Sequence, residues 1–129
     1  MATSTANGAK LPAIRIRAIN SAAESKGSIH DDEKAREMGY AGGFVPGVTV
    51  LGYMTRLMHE AFGADWLRTG EFHGRLRLPT YANDEVTVEG EVVEAPTPQN
   101  GGRVAVELRV VDPRGQVTSS GRASCVVTA

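Results

Sequence analysis

The chain has 129 residues, 41% apolar and 22% charged, with a formal net charge of −1, which suits one globular domain large enough to bury a core without staples. Near-neutral charge gives no electrostatic argument for DNA, RNA or an anionic membrane as partner, and a single cysteine, Cys125, excludes an intrachain disulfide. No apolar stretch approaches the roughly 20 residues of a membrane-spanning helix.

Residues 1–10 are small and polar and lack the apolar core of a secretory signal. They are expected to form a disordered tail on a cytoplasmic protein, with residues 11–129 as the single domain. Residues 11–20 alternate through Ile14, Arg15, Ile16 and Arg17, the pattern of a half-buried strand. A polar loop over 21–29 leads to a short helix over 31–38, with acids at its start and Gly39 past its end. The glycine-rich stretch Tyr-Ala-Gly-Gly-Phe-Val-Pro-Gly (40–47) is a loop. Beyond it Val50, Met54, Leu57 and Ala61 share one face, with Leu51 and Met58 beside them, over about four helical turns ended by Gly63. This apolar arc is wide enough to be embraced by other structure. Four strands follow, over 71–78, 85–94, 103–111 and 116–128, with turn chemistry at 79–84, 96–102 and 112–115. Hairpin turns are expected to join them into one antiparallel sheet with the long helix on one face. The expected class is α+β: a curled antiparallel sheet wrapped around one long central helix, the hotdog arrangement, with a short helix before it.

The segment Ser-Ile-His-Asp-Asp-Glu-Lys-Ala-Arg-Glu-Met-Gly-Tyr-Ala-Gly-Gly-Phe-Val-Pro-Gly (28–47) resembles the active-site segment of the MaoC-like (hydratase 2) hotdog family. That family carries roughly Asp-x-Asn-Pro-x-His-x-Asp, then an alanine, a Gly-aromatic pair and a glycine that opens the central helix. His30, Asp32, Ala35, Gly39-Tyr40 and Gly47 match those positions. Residues 78–94 are similar to the family's Pro-x-x-x-Gly-Asp-x-Val-x-Val-x-Gly strand pair, with Asn83 in place of the glycine. The chain departs from the pattern where the family keeps its catalytic aspartate, which is Ser25 here. Gly27 and Ser28 replace the Asn-Pro, and Pro46 stands where a histidine often precedes the helix.

The resemblance implies reversible hydration of a 2-enoyl thioester, or dehydration of a 3-hydroxyacyl thioester, carried on coenzyme A or a carrier protein. No cofactor or metal is implied, and three scattered histidines show no ligand spacing. His30 is the expected catalytic residue, since imidazole moves protons in either direction near neutral pH. The plain alternative is a histidine bonded to its own loop. Ser25 cannot act as a base, but it can position water. Glu24 is the carboxylate nearest the vacated position. Asp31 and Asp32 either cap the short helix or orient His30.

Gly47 and Val48 offer backbone N–H groups at the start of the long helix, either to polarise the acyl carbonyl or as an ordinary helix start. Gly43 and Phe44, with Gly42, are candidates for the substrate tunnel. Arg15 with Arg17, and Arg75 with Arg77, form either solvated strand faces or a grip on the phosphates of the carrier arm. His73 has no partner in sequence, and His59 and Glu60, near the end of the long helix, are expected at the surface. The exception would be a thioesterase, which needs a carboxylate on the long helix, and Glu60 is the candidate. Cys125 reads as a buried small hydrophobe. The competing functions are that thioesterase, a non-catalytic acyl-binding subunit, or another lyase or isomerase using His30 alone. A sheet with an open edge needs a cover, and the resemblance implies that the strand after the long helix, 71–78, pairs with its twofold mate in a homodimer.

Overall fold

The computed structural model of the protein describes residues 3–128. In chain order they form β1 (Ile14–Arg17), α1 (Asp32–Glu37), α2 (Gly47–Phe62), α3 (Ala64–Thr69), β2 (Glu71–Leu76), β3 (Glu85–Glu94), β4 (Arg103–Val111) and β5 (Val117–Val126). A single 3-10 turn lies at Pro98–Asn100. The strands make one antiparallel sheet in the order β1-β3-β4-β5-β2.

Alternation in the sequence becomes two faces. On one face Val86, Val88 and Val92 of β3 and Val104, Val106 and Val110 of β4 are fully buried. On the other, Glu89 of β3 meets Arg109 of β4 at 3.1 Å in solvent. Helix α2 lies on the buried face against β2, β3, β4 and β5. It turns Val50, Met54, Leu57 and Met58 into the core, the i, i+4, i+7, i+8 stripe the sequence carries. Gly63 ends it at φ 54°, its N–H donating to the His59 carbonyl at 2.8 Å. Cys125 is sealed in this core, and burial pushes its thiol up to about 11, with the Asp65 charge adding to the effect.

Four features differ from expectation. There is no hairpin between β2 and β3. Strand β2 pairs instead with β5 (His73↔Arg122) and forms one edge, while β1 forms the other. The turn chemistry at 79–84 carries a crossing, because β3 already has β1 and β4 on its two sides. Asn83 sits there at φ 70°, a left-handed conformation that asparagine tolerates better than most residues.

The second difference is the N-terminal segment. It is placed against the sheet rather than left as a tail: Gly8 N–H donates to the Val92 carbonyl, Val92 N–H to the Ala9 carbonyl, both at 2.8 Å, and Thr3 Oγ1 to the Ala61 carbonyl at 2.9 Å. The short β1 leaves that end of β3 without a partner, and residues 8–10 supply one. Residues 1 and 2 of the expected tail lie outside the described residues. Third, β1 spans only 14–17, although Leu11 and Ala18 still donate to the Gly90 and Asp84 carbonyls. Fourth, α3 was not foreseen, being too short for a helical period to stand out. It is fastened by Thr69 Oγ1, which accepts from Val126 N–H at 2.8 Å, and by Asp65, which accepts from Thr128 N–H at 3.1 Å.

Candidate active site

Between β1 and α2 the chain has little regular structure, so its carbonyls and N–H groups need individual partners. Asn20 Nδ2 donates to the His30 carbonyl at 2.9 Å, while its Oδ1 accepts from Ala22 N–H at 3.1 Å. His30 N–H donates to Ser28 Oγ at 3.2 Å, and Ser28 Oγ donates to the Ser25 carbonyl at 2.6 Å. Phe44 N–H donates to the Ile29 carbonyl at 3.0 Å, which ties the glycine-rich loop to the histidine loop. Asp32 Oδ1 accepts from Gly43 N–H at 2.7 Å and adds a second tie. These ties require glycine at 43: a Cβ there would overlap the carbonyl group of His30.

The imidazole is oriented by the same loop. His30 Nδ1 lies 2.8 Å from the Phe44 carbonyl oxygen. A carbonyl only accepts, so Nδ1 carries the proton, and in the neutral ring Nε2 is left with its lone pair. Tyr40 and Phe44 pack edge to face with ring centroids 4.7 Å apart. Asp31 is buried beside the loop. Burial opposes its charge, but the Gly27 N–H, the Lys26 ammonium and the N–H groups of Glu33 and Lys34 outweigh it and hold the carboxyl below the usual aspartate range.

His30 borders a cavity of about 420 Å³ that runs from solvent to the core face of the sheet. Its rim carries the half-exposed Tyr40, Leu76 and Leu78, and its floor the buried Val45, Val50, Thr80 and Ser119. Gly47 forms part of the wall, where a Cβ would run into Leu76 Cδ1. The start of α2 has no side-chain cap, and neither Gly47 nor Val48 N–H finds an acceptor among the described residues. Gly47 in the cavity wall, followed by Val48 outside it, therefore gives a helix N-terminus with two unused donors, suited to an oxygen that gains negative charge. Arg77 lines the rim and also, with Arg75, a groove of about 300 Å³ outside it. Neither arginine makes an ion pair among the described residues.

The structure brings together His30, Phe44 and Gly47. Gly43 stands behind His30 as a packing position rather than in the wall. The Val48 side chain points to solvent, 76% exposed, so its backbone is what remains of its expected role. Ser25 and Glu24 are exposed and do not line the cavity. Asp31 occupies the N-cap of α1, where the Glu33 and Lys34 N–H groups favour its charge without closing a short capping hydrogen bond, and Asp32 clamps Gly43 rather than His30.

Glu60 sits near the far end of α2, 3.6 Å from Arg56, and among the described residues no aspartate or glutamate lines the cavity. His73 faces outward on β2 opposite Arg122, and Arg15 meets Glu85 at 3.9 Å. Among the described residues no cluster of His, Cys, Asp or Glu is placed to hold a metal ion, and no helix is long and apolar enough to cross a membrane. Sequence reading missed Thr80 and Ser119. Ser119 follows Thr118, and both are buried, because the β4–β5 register shifts near Val110 and Val111. Strict alternation places one of them outside.

No protein-family model matches the sequence, and no curated protein does. Solved structures do match over nearly the whole chain. The ChsH1-ChsH2 complex from Mycobacterium tuberculosis aligns with a TM-score of 0.77 at 24% identity, covering 97% of this chain and 100% of the other. The (R)-hydratase from A. caviae involved in PHA biosynthesis aligns at 0.72 and 20% identity, covering 98% and 100%. A MaoC-like dehydratase from Rhodospirillum rubrum aligns at 0.70 and 20%, covering 96% and 94%. At these identities the likeness is one of fold: the chain has the hotdog-like α+β fold found in MaoC-like dehydratases and hydratases.

Proposed function

We propose that this chain is a hydratase or dehydratase of an acyl thioester, working at the cavity beside His30. The observation that carries the reading is the pairing of His30 Nδ1 with the Phe44 carbonyl, which leaves Nε2 as a free proton acceptor next to an uncapped helix N-terminus. In the hydration direction Nε2 takes a proton from water as the water oxygen adds to the β-carbon. The imidazolium then returns that proton to the α-carbon. The N–H groups of Gly47 and Val48 receive the thioester oxygen as it becomes enolate-like. Ser25 and Glu24, off the cavity wall, have no part in this scheme, so the proton work falls on one imidazole. Arg77 and Arg75, unpaired at and beyond the rim, suit the phosphates of a coenzyme A or carrier-protein arm. Strand β2 is a sheet edge, and we assign it as the seam of a homodimer through residues 71–78.

A second reading has a specific observation in its favour. With no carboxylate in the cavity wall, the chain would bind an acyl group without turning it over. The thioesterase reading loses its acid, since Glu60 lies outside the cavity. The test follows enoyl absorbance and thiol release together on a short 2-enoyl-CoA. Hydration by the wild type, lowered by about 10²–10⁴-fold in His30→Ala with ligand binding retained, supports the hydratase. Acyl-CoA binding with no loss of enoyl absorbance supports the binding subunit, and hydration undiminished in His30→Ala removes His30 from the chemistry.

A further inference from the structure

The residues at the cavity floor carry two hydroxyls that nothing among the described residues satisfies. Thr80 is 3% and Ser119 1% exposed, and neither Oγ1 of Thr80 nor Oγ of Ser119 has a hydrogen-bond partner. Both residues line the cavity, while the two hydroxyl oxygens themselves are closed off from solvent. A buried hydroxyl without a partner is destabilising relative to one that is bonded, so two together at one place stand out when the other buried side-chain polar atoms among the described residues are bonded. They come from different elements. Ser119 is on β5, opposite Leu76 of the rim. Thr80 is in the crossing segment, whose position is fixed by Val45 N–H donating to the Thr80 carbonyl at 2.8 Å. That segment is clamped from below by Arg114, which binds Asp84 at 2.8 Å and Asp112 at 3.1 Å.

We infer that the acyl group taken by this cavity carries a hydrogen-bonding oxygen, a hydroxyl or a ketone, toward its far end, and that Thr80 and Ser119 are the specificity residues that meet it. The inference rests on the thioester reading above and extends it from the reacting carbons to the tail. The cavity is graded: aromatic and aliphatic side chains at the rim, His30 and Gly47 along the wall, and two valines with two hydroxyls at the floor. A thioester oxygen held at the start of α2 sends its chain inward. A plain hydrocarbon tail would leave both hydroxyls unpaired in the complex, whereas a tail oxygen satisfies them. Each hydroxyl both donates and accepts and can turn through its staggered rotamers toward the ligand. A site of this kind discriminates strongly, because an analogue lacking the oxygen leaves buried groups unsatisfied.

The experiment compares hexanoyl-CoA with its 5-hydroxy and 5-oxo counterparts by calorimetry, on wild type, Thr80→Val and Ser119→Ala, with thermal melting of each protein. Wild type is expected to prefer an oxygenated ligand by about 10-fold or more, and each substitution to remove about 10-fold from that preference. The melting temperature should stay level or rise, because each change deletes an unpaired hydroxyl. Equal binding of all three ligands by wild type overturns the inference and leaves the thioester reading standing. Binding of none of them removes that reading and the inference with it. A fall in melting temperature in both variants means that a structural water already serves the hydroxyls, and overturns the inference. So does a loss of crotonyl-CoA hydration as deep as that of His30→Ala, which would put the hydroxyls at the reacting atoms.

Discussion

Residues 20–45 and residues 85–126 are held together by different means. In the second region β3, β4 and β5 pair along their lengths, and each inward valine is one of many against α2. In the first, single bonds carry single jobs: Asn20 to the His30 carbonyl, Asp32 to Gly43, His30 Nδ1 to Phe44. The sheet spreads its stabilisation over many equivalent contacts, so one loss is absorbed by the whole. The loop has only a few ties, each to a different group, so one loss bears directly on the imidazole. Stability and activity should therefore separate between the two regions.

Apart from loss of the imidazole itself, Gly43→Ala should show the largest effect on function. Its Cβ overlaps the His30 carbonyl group, so the histidine loop must move by about an ångström, a displacement that costs roughly 10²-fold in turnover. Steady-state kinetics on a short 2-enoyl-CoA, with circular dichroism to show that the sheet persists, checks this; a Gly43→Ala protein with full turnover would break the contrast. Met54→Ala should do the reverse. Met54 is fully buried on α2 beneath the sheet, and its truncation should cost about 2–5 kcal/mol in denaturant unfolding while leaving kcat close to wild type at temperatures where the protein is folded.

The smallest effect concerns acid. The Asp31 carboxyl is held below its ordinary value of 3.8, so its contribution is complete above that value and is lost as pH falls through the lower folded value. The Gly27 amide, whose N–H lies 3.4 Å from Asp31 Oδ2, should lose exchange protection in that window before the β4–β5 amides do. Simultaneous loss in both regions would mean that the loop is no weaker than the sheet.

The same division decides what could be read from sequence. Alternation through Val86, Val88 and Val92, and helical spacing through Val50, Met54 and Leu57, follow from periods fixed by backbone geometry, and those elements stand where expected. His30, Phe44 and Gly47, singled out through the resemblance carried by residues 28–47, come together at the cavity. Ser25 was paired with His30 by position in a motif, and a turn over 21–28 leaves it in solvent instead. Thr80 and Ser119 join the site through a crossing and a register shift, neither of which has a local period. The strand order was also beyond local reading. Turn residues at 79–84 mark a change of direction, but whether the chain returns beside its predecessor depends on partners far away in sequence.

That strand order bears on how the molecule comes into being. The sheet's edges, β1 and β2, are the earlier strands, and its middle, β3 to β5, is the later part of the chain. During synthesis Ile14 must wait for Val88, and His73 for Arg122, so the early half emerges from the ribosome with no sheet to join. Helix α2, with Met54, Leu57 and Met58 along one face, spends that interval uncovered. The meander of β3, β4 and β5 closes short loops and can form first; docking both edges onto it closes long ones, which is the slower entropic step.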